Sequence, residues 1–354
     1  MPRPSDSVTV YADLPHFAAP RPMGSLRRQT ARADHVFSFQ YDRDWLRSGA
    51  DFPFDPDLAL VQGPQYPAAD RANFGIFLDS APDRWGRILM QKRETLRARS
   101  EGRAARSLTD WDFLLGVHDE TRLGALRFQD PTSGRWVDSD DARAAPPITS
   151  LHDLQKASLL FEQSADEGVS REDEEWLAQL FAPGSSLGGA RPKASVRDED
   201  GALCIAKFPS RQDRRDIGAW ELVAHRMAAK AGIDVPPARA IRVPGNRYTT
   251  FVARRFDRTP TGGRLAFVSA MTLTQRRDGD AGASYLELVD LTTCDVAVAM
   301  EAHADYGLSA AEAEGIVSKA VAAVATWRRE ASRLRIPKAE QELMAKAFDP
   351  RGTL

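Results

Sequence analysis

Cysteine is scarce in this chain of 354 residues, and its scarcity excludes two kinds of architecture. The sequence contains two cysteines, Cys204 and Cys294, and they lie far apart. Two isolated thiols supply neither a disulfide framework nor a cysteine-based zinc site. We therefore expect both to be small buried hydrophobic side chains.

An excess of one charge and long apolar runs are also missing. Lys and Arg total 48 against 50 Asp and Glu, so the formal net charge of -2 provides no basic field for nucleic acid. No apolar run approaches the ~20 residues that span a bilayer, and no apolar stretch of a secretory signal follows the N-terminus. We expect a cytoplasmic globular protein that contacts neither a membrane nor nucleic acid directly.

The first part of the chain combines short strands with one helix. Apolar and polar residues alternate at 8–12 and 36–41, which indicates half-buried strands. A helix is expected to begin with Ser80 as its N-cap and Pro82 in its first turn. The stretch 123–128 predicts a further strand.

A different pattern begins near residue 183, with a glycine-rich turn, strand pairs and one helix. The strands 194–196 and 204–208 flank an Asp-Glu-Asp-Gly turn at 198–201, where Asp and Gly tolerate the backbone of a hairpin turn. After residue 284 the chain reads as helical, and Ser309 with Glu312 predicts a capping box.

These patterns predict an α+β protein of three parts. They are a β-rich N-terminal domain (1–148), a helical connector followed by a small nucleotide lobe of antiparallel strands and one helix (149–283), and a short all-helical C-terminal lobe (284–354).

The glycine-rich segment 185–193 is a candidate phosphate-binding turn. The N–H groups of Gly188 and Gly189 could approach phosphate oxygens without a Cβ in the way, and Lys193 would neutralise charge. The segment matches neither the Walker motif nor GxGxxG, so an ordinary connector remains the alternative.

Lys207 and Glu221 strengthen the nucleotide interpretation. Lys207 ends a predicted strand in a Val-Ala-Ile-Lys-like setting, and Glu221 lies about 60° from the centre of the apolar face of the following helix. A half-buried carboxylate needs a partner, and a lysine–glutamate pair of this kind positions nucleotide phosphates. A glutamate at the rim of an amphipathic helix is the alternative.

The strand 249–254 runs into Arg255-Phe256-Asp257-Arg258. The backbone of such a connector could bind an adenine edge while Phe256 covers the ring, although a plain strand end fits equally well.

Together these stretches resemble the HipA-type serine/threonine kinases, the toxins of bacterial toxin–antitoxin pairs. The resemblance extends over nearly the whole chain and rests on residues 80–86, 123–128, 183–193, 206–209, 220–221 and 255–258. It implies ATP as the nucleotide, a small helix-turn-helix antitoxin as the partner, and a phosphorylation target such as an aminoacyl-tRNA synthetase.

The resemblance also implies a role for each matching residue. Ser186 matches the family's autophosphorylated serine. The implied nucleotide-binding residues are Gly188, Gly189, Lys193, Lys207, Glu221, Arg254, Phe256 and Asp257. Within this set the two lysines match phosphate contacts, and the last three residues match the nucleotide-edge connector.

The catalytic segment of the family is missing. The family uses an Asp-Asp-His loop followed by Asn, and a later Asp that binds magnesium. The only asparagines of this chain are Asn73 and Asn246. The only histidine after Arg258 is His303, which is flanked by alanines. The break lies between about Leu291 and Asp295. No catalytic residue and no metal ligand can be assigned, which argues against Mg²⁺.

Three interpretations remain open. The first is a kinase-fold protein that is catalytically impaired, as a pseudokinase or a remnant. The second is an active ATP-dependent serine/threonine kinase with substitute carboxylates such as Asp278 or Asp280, and the third is a non-catalytic module that binds the repressor. We favour the first, because a positioned base alone contributes roughly 10² to 10⁴ in rate. We expect Asp295 to begin a helix, and Asp278 and Asp280 to be surface charges.

Overall fold

The protein is represented by a computed structural model, which describes residues 6–31, 34–48, 55–68, 71–140, 144–167, 180, 191–276 and 308–348. The chain divides into two compact units. The first comprises Met1–Ile205 and Arg255–Gln275, and the second comprises Ala206–Arg254 and Arg276–Leu354. Both units contain helices and strands, which confirms the predicted α+β class.

The first unit is built on a four-stranded antiparallel sheet with the strand order β3-β2-β1-β4. Its strands are β1 (Ser7–Ala12), β2 (Arg21–Ala31), β3 (Asp34–Tyr41) and β4 (Leu126–Gln129). In β1 every second side chain is buried, as the alternating sequence predicts. The predicted strand at 123–128 is displaced, because β4 begins only at Leu126.

Among the described residues up to 167, the α-helices are α1 (Arg43–Arg47), α2 (Gly75–Asp79), α3 (Arg84–Ser100), α4 (Asp110–Leu115) and α5 (Leu151–Glu167). Side chains of α1, α2 and α4 complete the core on this sheet. Aromatic side chains from strands and helices meet in the centre, where the rings of Phe39 and Phe77 lie 5.4 Å apart and Trp111 is fully buried. This core explains why the N-terminal part forms a compact body.

Helix α3 begins three residues later than the sequence predicts. Asp83, and not Ser80, is its N-cap, and the Asp83 carboxylate accepts a hydrogen bond of 2.7 Å from the N–H of Gly86. Ser80 instead follows the last turn of α2 as its C-cap. The Ser80 prediction is wrong because a second short helix occupies the preceding residues.

The chain enters the second unit within a strand. β5 (Lys193–Arg197) and its neighbour β6 (Leu203–Lys207) flank the predicted turn, where Gly201 has a φ of 80°. The last two residues of β6 belong to the second unit. This unit also contains β7 (Ala238–Ile241) and β8 (Thr250–Arg254), and β8 lies between β6 and β7 in the sheet. The predicted hairpin at 194–208 is confirmed.

Helices make up the rest of the second unit as far as it is described. They are α6 (Ile217–Ala231), which precedes β7, and near the C-terminus α8 (Ala310–Val324), α9 (Trp327–Arg333) and α10 (Lys338–Met344). A short helix α7 (Ala270–Leu273) belongs to the first unit. The capping box of Ser309 and Glu312 is confirmed at the start of α8. No helix among the described residues is long and apolar enough to cross a membrane.

Candidate functional site

The centre of the candidate site is Lys207, the last residue of β6. Alternate side chains of this strand are buried, so Cys204 and Ala206 point into the protein and Lys207 lies on the half-buried face. Its side chain retains 30% of its exposure. The pattern therefore leaves the Lys207 side chain partly accessible from solvent.

Helix α6 supplies the acidic partner. It starts at the N-cap Asp216, whose carboxylate accepts a hydrogen bond of 3.1 Å from Ala219, and it ends at Gly232 in the left-handed conformation. Gly218 allows the helix to approach β8, because a Cβ at this position would lie 2.2 Å from the carbonyl oxygen of Thr249. The sequence therefore fixes both the ends of α6 and its distance from the sheet.

Lys207 and Glu221 form an ion pair. The Lys207 ammonium donates a hydrogen bond to Oε1 of Glu221. The ammonium also lies 5.6 Å from the centroid of the Phe251 ring, which comes from β8. The predicted pairing is confirmed. The Glu221 side chain is 29% exposed and paired, so it is not an unpaired glutamate at the edge of the helix. A pair with this much exposure contributes little to stability, and its role in positioning a nucleotide stays a prediction.

Lys193, the other predicted phosphate contact, is placed in a different environment. It lies in the first unit, its side chain is 1% exposed, and its Nζ is 2.5 Å from Oδ2 of Asp83. The indole N–H of Trp85 donates to the Lys193 carbonyl oxygen over 3.0 Å. Burial raises the pKa of the Asp83 carboxyl, while the Lys193 charge opposes this shift. The Lys193 charge is thus already compensated within the protein.

The connector after β8 separates into residues with different roles. Arg254 ends β8 and is half-buried, and its N–H donates to the carbonyl oxygen of Pro237 over 2.9 Å. The Phe256 side chain is 56% exposed and its ring lies 5.5 Å from that of Phe267. An exposed aromatic ring is consistent with the predicted role of Phe256 in covering a base, which stays a prediction.

Asp257 is fully buried in a cluster of arginines. Its carboxylate accepts hydrogen bonds from Arg255 (2.8 and 2.6 Å), from Arg258 (2.5 Å) and from the N–H of Gly124 (2.8 Å). Burial raises the pKa of the Asp257 carboxyl, but the hydrogen bond and charge of Arg255 and the charge of Arg258 outweigh this effect and lower it overall. Burial, with the Arg255 charge, lowers the pKa of Arg258 to about 9. The structure therefore gives this carboxylate a structural role, and its nucleotide role stays a prediction.

The same cluster contains arginines for which the sequence predicted no role. Arg255 donates to the carbonyl oxygens of Thr121 (2.6 Å) and Arg122 (3.2 Å), and Arg258 donates to that of Glu120 (2.9 Å). Arg264 donates to the carbonyl oxygen of Asp119 over 2.6 Å. The only sequence signal was the density of arginine between 254 and 264, which does not reveal distant carbonyl partners.

Several predicted residues lie outside the described part of the chain. These are Ser186, Gly188 and Gly189 in the glycine-rich segment, together with Asp278, Asp280, Leu291, Cys294, Asp295 and His303. Their predicted roles stay predictions. Within the described ranges, no three His, Cys, Asp or Glu side chains are grouped so as to hold a metal ion. The expectations for ATP and Mg²⁺ both stay predictions, and we derive no step that depends on Mg²⁺.

Comparisons with known proteins find one family model and similar solved structures. Residues 185–327 match the family model of the HipA-like C-terminal domain. Among solved structures, one similar chain belongs to the complex described as "Shewanella oneidensis MR-1 Toxin Antitoxin System HipA, HipB and its operator DNA complex". The match has 12% sequence identity and a TM-score of 0.48, and it covers 97% of this chain and 95% of the other. No curated protein matches the chain.

Proposed function

We propose that this chain, whose residues 185–327 match the family model of the HipA-like C-terminal domain, is a kinase-like protein of a toxin–antitoxin system. In this proposal it binds ATP at Lys207 and transfers phosphate slowly or not at all. The observation that carries the proposal is the ion pair between Lys207 and Glu221.

The charge and accessibility of Lys207 support nucleotide binding. Glu221 orients the ammonium without burying it, since both side chains keep nearly a third of their exposure. A triphosphate would replace part of the water around this cation and would gain a charge-assisted hydrogen bond. Lysine–glutamate pairs between a strand and a helix serve this purpose in kinases.

The missing catalytic segment supports impaired transfer. The sequence lacks both the Asp-Asp-His loop and a later asparagine that could hold a metal. Without a base and metal ligands, positioning of the phosphates alone leaves the transition state without its main electrostatic stabilisation. An active serine/threonine kinase with substitute carboxylates is the competing outcome.

We also propose a small helix-turn-helix antitoxin as the protein partner. The support is the match of residues 185–327 to the family model and the resemblance of the N-terminal motifs at 80–86 and 123–128. Co-purification of the chain with the product of a neighbouring short reading frame would test this partner.

Thermal unfolding in the presence and absence of ATP tests the nucleotide site. A ligand at 100 times its Kd stabilises the folded state by about 2.7 kcal/mol. We expect ATP to raise the Tm of the wild-type protein and to have no effect on Lys207→Ala. Lys338→Ala, which removes an exposed lysine at the start of α10, serves as the control and should respond like the wild type. An unchanged Tm of the wild type, or a full response of Lys207→Ala, would contradict the proposal.

A further inference from the structure

The N-terminal end of α6 is held by a carboxylate from the C-terminal helices. Oε1 of Glu340, in the first turn of α10, accepts hydrogen bonds from the N–H of Asp216 (3.1 Å) and from the indole N–H of Trp220 (2.6 Å). A negative charge at this end of a helix is favourable, because the first N–H groups lack partners within the helix. Glu340 therefore fixes both the first turn of α6 and the orientation of one of its side chains.

A second carboxylate holds the other end of α6. Glu330, in α9, is 3% exposed and accepts hydrogen bonds from Arg226 (3.2 Å) and Lys230 (2.7 Å). Both basic residues lie in the second half of α6. Glu330 also pairs with Arg333 in its own helix over 2.8 Å. The two acidic residues thus contact α6 before and after Glu221.

Between these contacts, an aromatic cluster fixes the rotation of α6. The Trp220 ring lies 5.9 Å from both the Trp327 and Phe348 rings, and the latter two stack at 5.0 Å. Trp220 directly precedes Glu221 in the helix. Because successive side chains are separated by about 100° around the axis, turning Glu221 away from Lys207 would pull Trp220 out of this cluster.

We propose that Glu340 is a positioning residue for the nucleotide site: by holding the first turn of α6 and the Trp220 ring, it keeps Glu221 aligned with Lys207. In this arrangement the C-terminal helices set the geometry of the lysine through α6 and Glu221. The proposal deepens the nucleotide-binding function proposed above and rests on it for its biological meaning. The geometric part can be tested without a nucleotide.

Limited acylation of lysine at fixed pH, followed by peptide mass spectrometry, tests the alignment. An amine in an ion pair must leave its partner before it attacks the reagent, so loosening the pair raises the labelling rate of Lys207. We expect Glu340→Ala to raise this rate about fivefold, and Glu221→Gln to raise it as a positive control. Labelling of Lys92, in the first unit, is the internal reference that reports global unfolding.

The same helix offers a matched control. Glu342 lies in α10, its side chain is 70% exposed, and its described partner is Arg328 at 2.9 Å. Glu342→Ala removes an equal charge and should leave Lys207 labelling unchanged. If Glu340→Ala is unfolded, Glu340→Leu is used instead, because it removes both hydrogen bonds to Oε1 and keeps more of the side-chain volume; a rise of similar size is expected. Equal labelling of Lys207 in the wild type and in a folded Glu340 variant would overturn the proposal.

ATP affinity then separates this proposal from the function on which it rests. We expect Glu340→Ala to weaken ATP binding about fivefold in the wild-type background and to have no further effect in Glu221→Gln, because coupled residues are not additive. If the wild type does not bind ATP, the proposed function is wrong, and the labelling result still decides the role of Glu340. Additive losses of affinity would show that Glu340 acts by another route.

Discussion

The carboxylate of Asp257 lies in the first unit without exposure to solvent, and both of its oxygens accept hydrogen bonds from arginine. A nucleotide could bind this group only if Arg255 or Arg258 released it. Breaking a buried ion pair exposes an uncompensated charge to a medium that solvates it poorly. The neighbouring Phe256, by contrast, is available on the surface. Two adjacent residues of one motif therefore differ in what they can do.

Replacing Asp257 tests this difference. We expect Asp257→Ala to lower the free energy of unfolding by about 3 kcal/mol at pH 7, because two buried guanidinium groups lose their counter-charge. Phe256→Ala should cost only about 0.5 kcal/mol, since it alters an exposed side chain. Urea denaturation of both variants measures these values. If Asp257→Ala left the free energy of unfolding unchanged, this would argue for a ligand contact and against the structural role.

The pH dependence of the same variant provides a second check. Because folding lowers the pKa of Asp257, its carboxylate stabilises the folded protein fully at pH values above the pKa of about 3.9 in the unfolded chain. It is lost as the pH falls through the lower folded value. The difference in free energy of unfolding between the wild type and Asp257→Ala should therefore become smaller in acid. A difference that becomes larger in acid would contradict the lowered pKa of Asp257.

Helix α3 shows how one residue can serve two elements. Asp83 caps the helix through Gly86 and also pairs with Lys193 on β5, far away in the sequence. Both partners of the pair are almost completely buried. The N-cap of α3 is thus joined to a strand, and this contact ties α3 to β5 within the first unit.

Variants of Asp83 separate the two contributions. We expect Asp83→Ala to cost at least about 3 kcal/mol, because Lys193 would remain buried without its partner. Asp83→Asn retains a capping side chain and should recover only the capping part, about 1 kcal/mol. Ser80→Ala should change the free energy of unfolding by less than about 1 kcal/mol. A larger loss for Ser80→Ala than for Asp83→Ala, measured by thermal or urea unfolding, would restore Ser80 as the N-cap.

Local signals predicted the elements well, and contacts across the sequence less well. The hairpin at 194–208 and the capping box at Ser309 depend on neighbouring residues, and both are confirmed. The pairing of Lys207 with Glu221 was also accessible, because the helical period places Glu221 near the apolar face. The contacts of Asp83 with Lys193 and of Asp257 with Gly124 could not be predicted, since each partner lies more than a hundred residues away and no local pattern points to it.

At the scale of the whole molecule, the chain combines a formed lysine–glutamate pair with a sequence that has neither the Asp-Asp-His loop nor the later asparagine that the proposed family resemblance implies. Binding and transfer make different demands. Binding needs a cation and a surface, whereas transfer also needs groups that stabilise charge as it develops in the transition state. A chain that keeps the first set and lacks the second should bind ATP without consuming it.

Incubation with Mg-ATP followed by intact mass measurement tests this separation directly. We expect no gain in mass, because a missing base alone lowers the rate by roughly 10² to 10⁴ and missing metal ligands lower it further. Lys207→Ala, incubated in parallel, shows the mass of a variant that is expected not to bind ATP. Thermal stabilisation of the wild type in the same buffer shows that ATP is bound. A gain of one phosphate that maps to Ser186 and disappears in Lys207→Ala would show that transfer survives. In that case, carboxylates elsewhere in the chain, such as Asp278 or Asp280, would have to supply the missing chemistry.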